Sequence, residues 1–123
     1  MKKKIKFKQK LCFDIDGVIC TTPKNRNYYK SKPKKNNISL INELFETKKY
    51  EIKLFTARGM GKFNANKKLV KKNYYQLTKN QLRKWGLKYH ELIMYKTSYD
   101  LFVDDKAYGF KNNWRKDLKK KYL

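Results

Sequence analysis

The sequence predicts an α/β fold in three layers, a parallel β-sheet with helices on both of its faces. Short apolar runs typical of buried strands alternate along the 123 residues with segments of helical periodicity. Strands and helices that alternate in this way indicate crossover connections between parallel strands. The chain has no internal repeat and no linker-like segment, so the sequence predicts a single domain over residues 1–123.

Four short apolar runs are the predicted strands of this sheet. In chain order they are Leu11–Phe13, Ile52–Phe55, Leu92–Met94 and Leu101–Val103. Ile5 and Phe7 alternate with lysines and are predicted to extend the first strand. Cys12 lies inside an apolar run and is predicted to be a small buried residue.

Apolar residues recur at helical spacing over 38–45, directly after Asn37, which is a favourable N-cap residue. A second helix is predicted to begin at Thr78, because Thr78 and Gln81 match a capping box, and to end at Gly86.

Polar stretches with glycine or proline fill the intervals between these elements. Residues 21–37 and 57–73 are predicted loops, and residues 114–123 a short basic helix. In the segment 19–37, Tyr28, Tyr29 and Pro33 are predicted either to form a small flap or to pack on the rim of a site.

The net charge is +23, from 33 basic and 10 acidic residues. This charge has two interpretations that the sequence leaves open: attraction to polyanions or anionic substrates, or a solvated surface rich in lysine and asparagine. Either one predicts nonspecific polyanion binding at low salt. No secretory or membrane-spanning run is present and the cysteines lack zinc-site spacing, so we expect a cytoplasmic protein that does not enter membranes. The sequence assigns no oligomeric state.

Four of the ten acidic residues lie at two predicted strand ends. Asp14 and Asp16 follow the first strand, and Asp104 and Asp105 follow the fourth. The carboxyl ends of parallel strands lie at one edge of a sheet, where such folds place their functional residues. Converging carboxylates repel one another, and a hard cation such as Mg²⁺ relieves that repulsion.

The motifs at these strand ends resemble those of the haloacid dehalogenase (HAD) superfamily, in the same order. Phe13–Val18 resembles its first motif, Thr56 its second, and Lys96 with Val103–Asp105 its third and fourth. The resemblance is closer still to the small capless capsule-biosynthesis phosphatases, whose pattern is echoed in Phe55–Met60, Lys88–Ile93, Lys96–Asp100 and Val103–Ala107. Tyr95 stands where that pattern has glycine.

This resemblance implies a Rossmann-like, HAD-like fold without a large cap domain, and an Mg²⁺-dependent phosphatase. Asp14 would attack phosphorus and form an aspartyl-phosphate. Asp16 would protonate the leaving oxygen and later activate water. The Asp14 carboxylate, the Asp16 backbone carbonyl and Asp104 would hold Mg²⁺.

The remaining motif residues would contact the phosphate or support the site. Thr56 would donate a hydrogen bond to a phosphoryl oxygen, and Lys96 would neutralise the same group. Asp105 would orient either the metal shell or Lys96. Arg58 has two interpretations, a phosphate-binding residue or a surface arginine.

The expected reaction is hydrolysis of a small phosphorylated substrate, such as a sugar or polyol phosphate of capsule or surface-polysaccharide biosynthesis. The alternative is a nucleic-acid protein, either a polynucleotide end phosphatase or a basic nucleic-acid-binding protein. The high positive charge and the absence of a cap favour the alternative, whereas the sequence has no recognised nucleic-acid motif.

Overall fold

The structure is a computed structural model and describes residues 6–123. The elements, in chain order, are β1 (Gln9–Phe13), β2 (Cys20–Thr21), β3 (Lys32–Pro33), α1 (Lys35–Glu46), β4 (Tyr50–Phe55), α2 (Lys67–Val70), α3 (Gln76–Lys84), β5 (Glu91–Ile93) and α4 (Trp114–Tyr122). A 3₁₀ turn at Tyr28–Lys30 precedes β3, and a π-helical turn at Lys71–Tyr75 joins α2 to α3. No helix in this part of the chain is long and apolar enough to cross a membrane.

The central sheet has three parallel strands in the order β1-β4-β5. β1 and β4 pair with Leu11 opposite Ile52 and Phe13 opposite Leu54, and Leu54 in turn lies opposite Leu92. A two-stranded antiparallel ribbon of β2 and β3 lies in the segment after β1. The first three predicted strands, the parallel sheet and the α/β class are therefore confirmed. The proposed extension through Ile5 falls outside the described residues, and Phe7 precedes β1.

Alternation along β4 decides which side of the sheet is buried. Tyr50, Ile52 and Leu54 point into the core, while Lys53 lies on the opposite side and pairs with Glu91 of β5 at 3.1 Å. The inward side packs in one cluster with apolar residues of α1, α3 and α4, namely Ile38, Leu40, Ile41, Leu44, Leu82 and Trp114. Burying each of these large side chains contributes about 1.5–3 kcal/mol.

The prediction of helices on both faces is wrong for the part of the chain that the structure describes. The outward side of the sheet carries Lys10, Cys12 and Glu91, all exposed. The predicted burial of Cys12 is wrong for the same reason, because strand alternation places it on the side opposite Leu11 and Phe13. The buried thiol is that of Cys20.

The fourth predicted strand is also absent from the described chain. Leu101 and Val103 lie in an irregular segment and are 80% and 86% exposed. Three consecutive apolar residues form a strand only where they can pair with the edge strand of a sheet. The flanking Asp100 and Asp104 disfavour such pairing, because aspartate is rare in strands. Strand propensity at this position was therefore insufficient to predict the fold.

One helical run from Lys67 to Lys84 replaces much of the predicted loop 57–73. Asn66 caps it, its side chain accepting a hydrogen bond from the Leu69 N–H at 3.2 Å. Only Val70 and Tyr74 of the first turns are buried, so the apolar periodicity was too sparse to indicate a helix.

The predicted N-cap residues lie inside helices. Thr78, taken as the start of a capping box, is the third residue of α3, well inside the helical run that begins at Lys67, and is fully buried. Asn37 lies in the first turn of α1, where its buried amide donates to the Val18 carbonyl at 2.7 Å. Both polar side chains satisfy tertiary partners, which a local capping pattern cannot distinguish from capping. The predicted C-terminal helix is confirmed as α4.

Two bends near the sheet edge use left-handed backbone. Gly59 has φ +78°. A Cβ atom there would lie 2.6 Å from Cδ2 of Tyr74, so the bend requires glycine for space as well as for conformation. Tyr95, which stands where the phosphatase pattern has glycine, has φ +74°.

We expect Cys12 to react with a thiol reagent in the native protein while Cys20 does not, because Cys12 lies on the uncovered side of the sheet. Desolvation raises the pKa of the Cys12 thiol, against the opposing charges of Lys96 and Lys53. The thiolate is the reactive form, so alkylation should be slow at neutral pH and accelerate as pH rises through and beyond the ordinary thiol range. Mass spectrometry of the alkylated native protein measures this, with Cys12→Ser as the control. Protection of Cys12 would mean that a further layer covers that side.

We expect Gly59→Ala to lower the free energy of unfolding by about 2–4 kcal/mol, since it combines left-handed strain with a clash against a core ring. Urea denaturation followed by circular dichroism measures the change. Gly61→Ala is the matched control, because a Cβ atom at Gly61 meets nothing within 4 Å. Equal stability of the two variants would contradict the packing of Gly59 on Tyr74.

Candidate active site

The polar side chains that follow β1, β4 and β5 lie at one edge of the sheet. Asp14 follows β1, Thr56 follows β4 and Lys96 follows β5 by three residues. Backbone hydrogen bonds continue the pairing past the strands, from Thr56 N–H to the Ile93 carbonyl (3.1 Å) and from Lys96 N–H to the Thr56 carbonyl (3.0 Å). The parallel pairing thus brings Asp14, Thr56 and Lys96 to this edge.

Asp14 and Lys96 form an open ion pair. Their Oδ1 and Nζ atoms are 4.0 Å apart, and the Asp14 side chain is 40% exposed. The Ile15 N–H donates to the same Oδ1 at 2.8 Å, which fixes the carboxylate. Partial burial raises the pKa of the Asp14 carboxyl, while the Lys96 ammonium opposes the shift. One side of this carboxylate faces solvent and can meet a substrate.

Aromatic rings surround the Lys96 ammonium on its other sides. Its Nζ lies 5.8 Å from the ring centre of Phe55, 5.3 Å from that of Tyr99 and 5.9 Å from that of Phe102. Cation–π attraction to such rings holds the ammonium near the sheet edge without neutralising its charge. The positive charge therefore remains available to an anionic group beside Asp14.

Asp16 is held in the fork of Arg58. Arg58 Nε donates to both carboxylate oxygens, at 3.2 and 3.1 Å, and Nη2 donates to Oδ1 at 3.0 Å. Thr22 Oγ1 also donates to this carboxylate. The arrangement fixes the orientation of Asp16, two residues beyond Asp14, more tightly than that of Asp14 itself.

The remaining Arg58 donors are satisfied inside the protein. Nη1 donates to Thr78 Oγ1 at 3.2 Å and to Gln81 Oε1 at 2.6 Å, and the guanidinium lies 4.9 Å from the Tyr28 ring centre. The Arg58 side chain has no solvent exposure. Both sequence interpretations of Arg58 need correction: it is not a surface arginine, and its donors contact Asp16 and α3 rather than an open phosphate position.

Thr56 is fully buried, and its Oγ1 accepts the Arg58 N–H at 3.2 Å. It therefore shapes the bend that leads to Arg58. Its contact with a phosphoryl oxygen remains a prediction.

Asp104 and Asp105 are exposed and lie in the irregular segment after β5. Asp104 accepts the N–H of Lys106 at 2.8 Å, closing a local turn. The described residues contain no group of three or more acidic, histidine or cysteine side chains placed to hold a metal ion. The predicted convergence with Asp14 and Asp16 is thus not found in this arrangement. Arg58 holds the Asp16 carboxylate, and the carboxylates of Asp14, Asp104 and Asp105 are not gathered into one group, so the described donors as placed do not fit a complete Mg²⁺ site.

Several residues of the Arg58 network were not predicted from sequence. Gln81 links Arg58 to the Tyr28 carbonyl through its Nε2, at 2.6 Å, and Ser31 and Cys20 lie within 3.5 and 3.7 Å of Arg58 Nη2. The three-residue spacing of Thr78 and Gln81 was visible but suggested a cap. In a helix this spacing also places two side chains on one face.

The segment between β1 and α1 forms a packed rim rather than a flap. Tyr28 is buried beneath Arg58, while Tyr29 is exposed. Pro33 pairs with Cys20 in the β2–β3 ribbon. Of the three residues predicted for a flap or rim, Tyr28 and Pro33 belong to the rim.

No known protein-family profile matches this chain, and no curated protein sequence matches it. Solved structures do. The chain resembles a structural-genomics target from Vibrio cholerae with a TM-score of 0.70 and 23% identity, covering 92% of this chain and 98% of that one.

Two structures of the Pnkp1/Rnl/Hen1 complex also match. The first, described as an RNA repair complex, has a TM-score of 0.51 at 16% identity, and the second has 0.55 at 15% identity. The matches cover 100% and 96% of this chain, but 34% and 35% of the matched chains. At these identities the likeness concerns the fold alone, and it supports a small Rossmann-like α/β domain.

We expect Arg58→Ala to lower the free energy of unfolding by about 3–5 kcal/mol, because it leaves Asp16 unpaired in a largely buried position. Chemical denaturation measures the loss. Arg83→Ala, which removes an exposed arginine of α3, is the control and should change stability by less than about 0.5 kcal/mol. A loss for Arg58→Ala no larger than that of the control would contradict the buried network.

Proposed function

We propose that this chain is a phosphomonoesterase, a phosphatase of the HAD type, in which Asp14 is the nucleophile. The observation that carries the proposal is the pairing of a half-exposed Asp14 carboxylate with the Lys96 ammonium, 4.0 Å away, at the carboxyl edge of a parallel sheet. An oxyanion nucleophile next to a cation suits attack on a phosphate monoester, because the cation offsets repulsion between the two anions.

The proposed reaction has two displacements at phosphorus. An Asp14 oxygen forms a bond to phosphorus as the bond to the ester oxygen breaks, and Asp16, which enters this step in its protonated form, gives that oxygen its proton. Water then attacks phosphorus, Asp16 takes its proton, and the Asp14–phosphorus bond breaks to release inorganic phosphate. Lys96 offsets the phosphoryl charge through both steps.

Arg58 acts in this proposal as a positioning residue. Its fork holds the Asp16 carboxylate against the turn after β1, so that the group that moves protons stays two residues from the nucleophile. Direct phosphate binding by Arg58 is not part of the proposal.

Mg²⁺ dependence is proposed as well, with Asp14, the Asp16 backbone carbonyl and Asp104 as ligands and Asp105 as a supporting residue. A bound Mg²⁺ would supply charge neutralisation at the phosphoryl oxygens. Since no three acidic, histidine or cysteine side chains of the described residues are placed together to hold a metal ion, no step above is assigned to the metal.

The substrate proposed first is a small phosphorylated metabolite, such as a sugar or polyol phosphate of surface-polysaccharide synthesis, hydrolysed in the cytoplasm. A polynucleotide end phosphatase is the second candidate. It is favoured by the solvent-facing Asp14 and by the net charge of +23, and the likeness to chains of an RNA repair complex supports it.

We expect Mg²⁺-dependent hydrolysis of an aryl phosphate that EDTA abolishes and Asp14→Asn eliminates without unfolding the protein. Asp16→Asn should lose most activity on esters with poor leaving groups and least on esters whose leaving groups need no proton. A series of aryl and alkyl phosphates measures kcat/KM for each variant.

Uniform damage by Asp16→Asn across leaving groups would contradict its role as the acid. Full activity of Asp14→Asn, or of the wild type in EDTA, would contradict the nucleophile or the metal. Adding sugar phosphates, polyol phosphates and 3′- or 5′-phosphorylated oligonucleotides to the panel separates the two substrate classes by their kcat/KM values.

A further inference from the structure

A basic cavity lies where the first turns of α1 and α4 meet. Its volume is about 440 Å³, and four of the side chains that line it are cationic: Lys34, Lys35, Lys111 and Arg115. No acidic residue is among the described residues that line it. Four cations around one concave surface create a positive potential that attracts anions.

The cavity wall is built on buried contacts. Arg115 Nη1 donates to Oδ1 of Asn37 at 2.6 Å, and the buried Asn37 donates to the Val18 carbonyl at 2.7 Å. Lys34 Nζ donates to the Gly17 carbonyl at 2.6 Å and lies 5.3 Å from the Phe110 ring centre. Two of the four cations are thereby held in place rather than left to move freely in solvent.

The same surface continues along α4 with more cations and with exposed rings. A second, smaller cavity of about 370 Å³ shares Arg115 and adds Lys116 and Lys119. Phe110 is 51% exposed beside the first cavity, and Tyr108 is exposed with the Lys111 ammonium 5.3 Å from its ring centre. Cations that follow a groove, together with exposed rings, are the features by which proteins hold single strands of nucleic acid.

We propose that this basic cavity and the α4 surface bind a single strand of nucleic acid, with a backbone phosphate in the cavity and bases stacked on Phe110 and Tyr108. A phosphate in the cavity would meet the Lys35 and Lys111 ammonium groups, which have no acidic partner in the described structure. The two adjoining cavities provide length for successive phosphates, which a small ester does not need.

The cavity is also linked to the turn that holds Asp16. Lys34 contacts the carbonyl of Gly17, which directly follows Asp16 in the turn after β1. A strand held in the cavity therefore passes close to that turn, and its terminal phosphate would be presented at the sheet edge. This last step rests on the second candidate function above, whereas strand binding requires no turnover.

The test is binding of a fluorescein-labelled single RNA strand of about 12 nucleotides, measured by fluorescence anisotropy over a series of salt concentrations in EDTA. We expect the double variant Lys35→Glu/Lys111→Glu to weaken binding about tenfold or more at moderate salt. It should also reduce the slope of log K against log salt by about 1–1.5, because each phosphate contact on a single strand contributes about 0.7. Lys35→Glu should not harm folding, since an acidic residue in the first turn of a helix is favourable.

The matched control is Lys68→Glu/Lys72→Glu, which changes the net charge equally at exposed positions outside both cavities. Equal weakening by the two double variants would overturn the proposal, because binding would then depend on net charge alone. Tight binding that neither variant weakens would overturn it too. If circular dichroism shows that the glutamate variant is unfolded, Lys35→Gln/Lys111→Gln is measured instead. It should weaken binding in the same way and reduce the salt slope by about the same amount, because the same two phosphate contacts are lost.

Amide chemical shifts give a second measurement on the wild-type protein. The strand should perturb the amides of Lys35, Asn36 and Asn112, and inorganic phosphate at equal phosphate concentration should perturb them much less. Equal perturbation by inorganic phosphate would identify a small-anion cavity and overturn the proposal. Failure of the phosphatase test would leave these binding results unaffected, so the two proposals fail separately.

Discussion

The buried ion pair between Asp16 and Arg58 is the interaction on which the rest of the sheet edge depends. Removing a guanidinium from water costs several kcal/mol unless every donor finds a partner. Here the partners come from the turn after β1, from α3, and from Cys20 of β2 and the neighbouring Ser31. The segment from Asp16 to Ser31 and the helix α3, which are distant from each other in sequence, must therefore assemble around one cation. The buried Cys20 thiol joins the same assembly, and desolvation raises its pKa, which keeps it a neutral neighbour of the ion pair.

Two similar carboxylates after the end of β1 lie in different surroundings, although they are two residues apart. Asp14 remains partly in solvent beside Lys96, whereas Asp16 is enclosed by Arg58 and Thr22. Ile15 between them is fully buried in the core, so the chain cannot rotate at this point without exposing it. One carboxylate can thus meet a substrate while the other is kept at a fixed position close by. The same residue type, aspartate, serves in both environments.

The sequence predicted those parts of the fold that are determined by burial along a strand. Ile52–Phe55 and Leu11–Phe13 were identified as β4 and β1 because they are short apolar runs, although such a run does not show that only one side of the strand is buried. Prediction from the sequence failed where contacts with residues distant in sequence determine the local structure. Leu101–Val103 has strand propensity but no paired edge in the described structure, and the polar residues of α3 satisfy Arg58 rather than a helix end. The position of Asp14 followed from topology and that of Lys96 was expected from the family resemblance, whereas the burial of Arg58 depended on contacts far away in sequence.

At Tyr95 a side chain anchors the bend, whereas a glycine would allow the same bend because it has no side chain. Its left-handed backbone costs about 1–2 kcal/mol relative to glycine. In return, the ring packs against the second apolar cluster, around Met94, and lies near the ammonium of Lys67. A glycine would remove the strain and, with it, the contact that ties the bend to α2. The backbone that carries Lys96 is thus restrained from two sides, by the sheet before it and by an aromatic anchor at the bend. This corner of the sheet is rigid, and its backbone is held in a strained conformation. A glycine hinge has the opposite properties, since its backbone is unstrained and free to move.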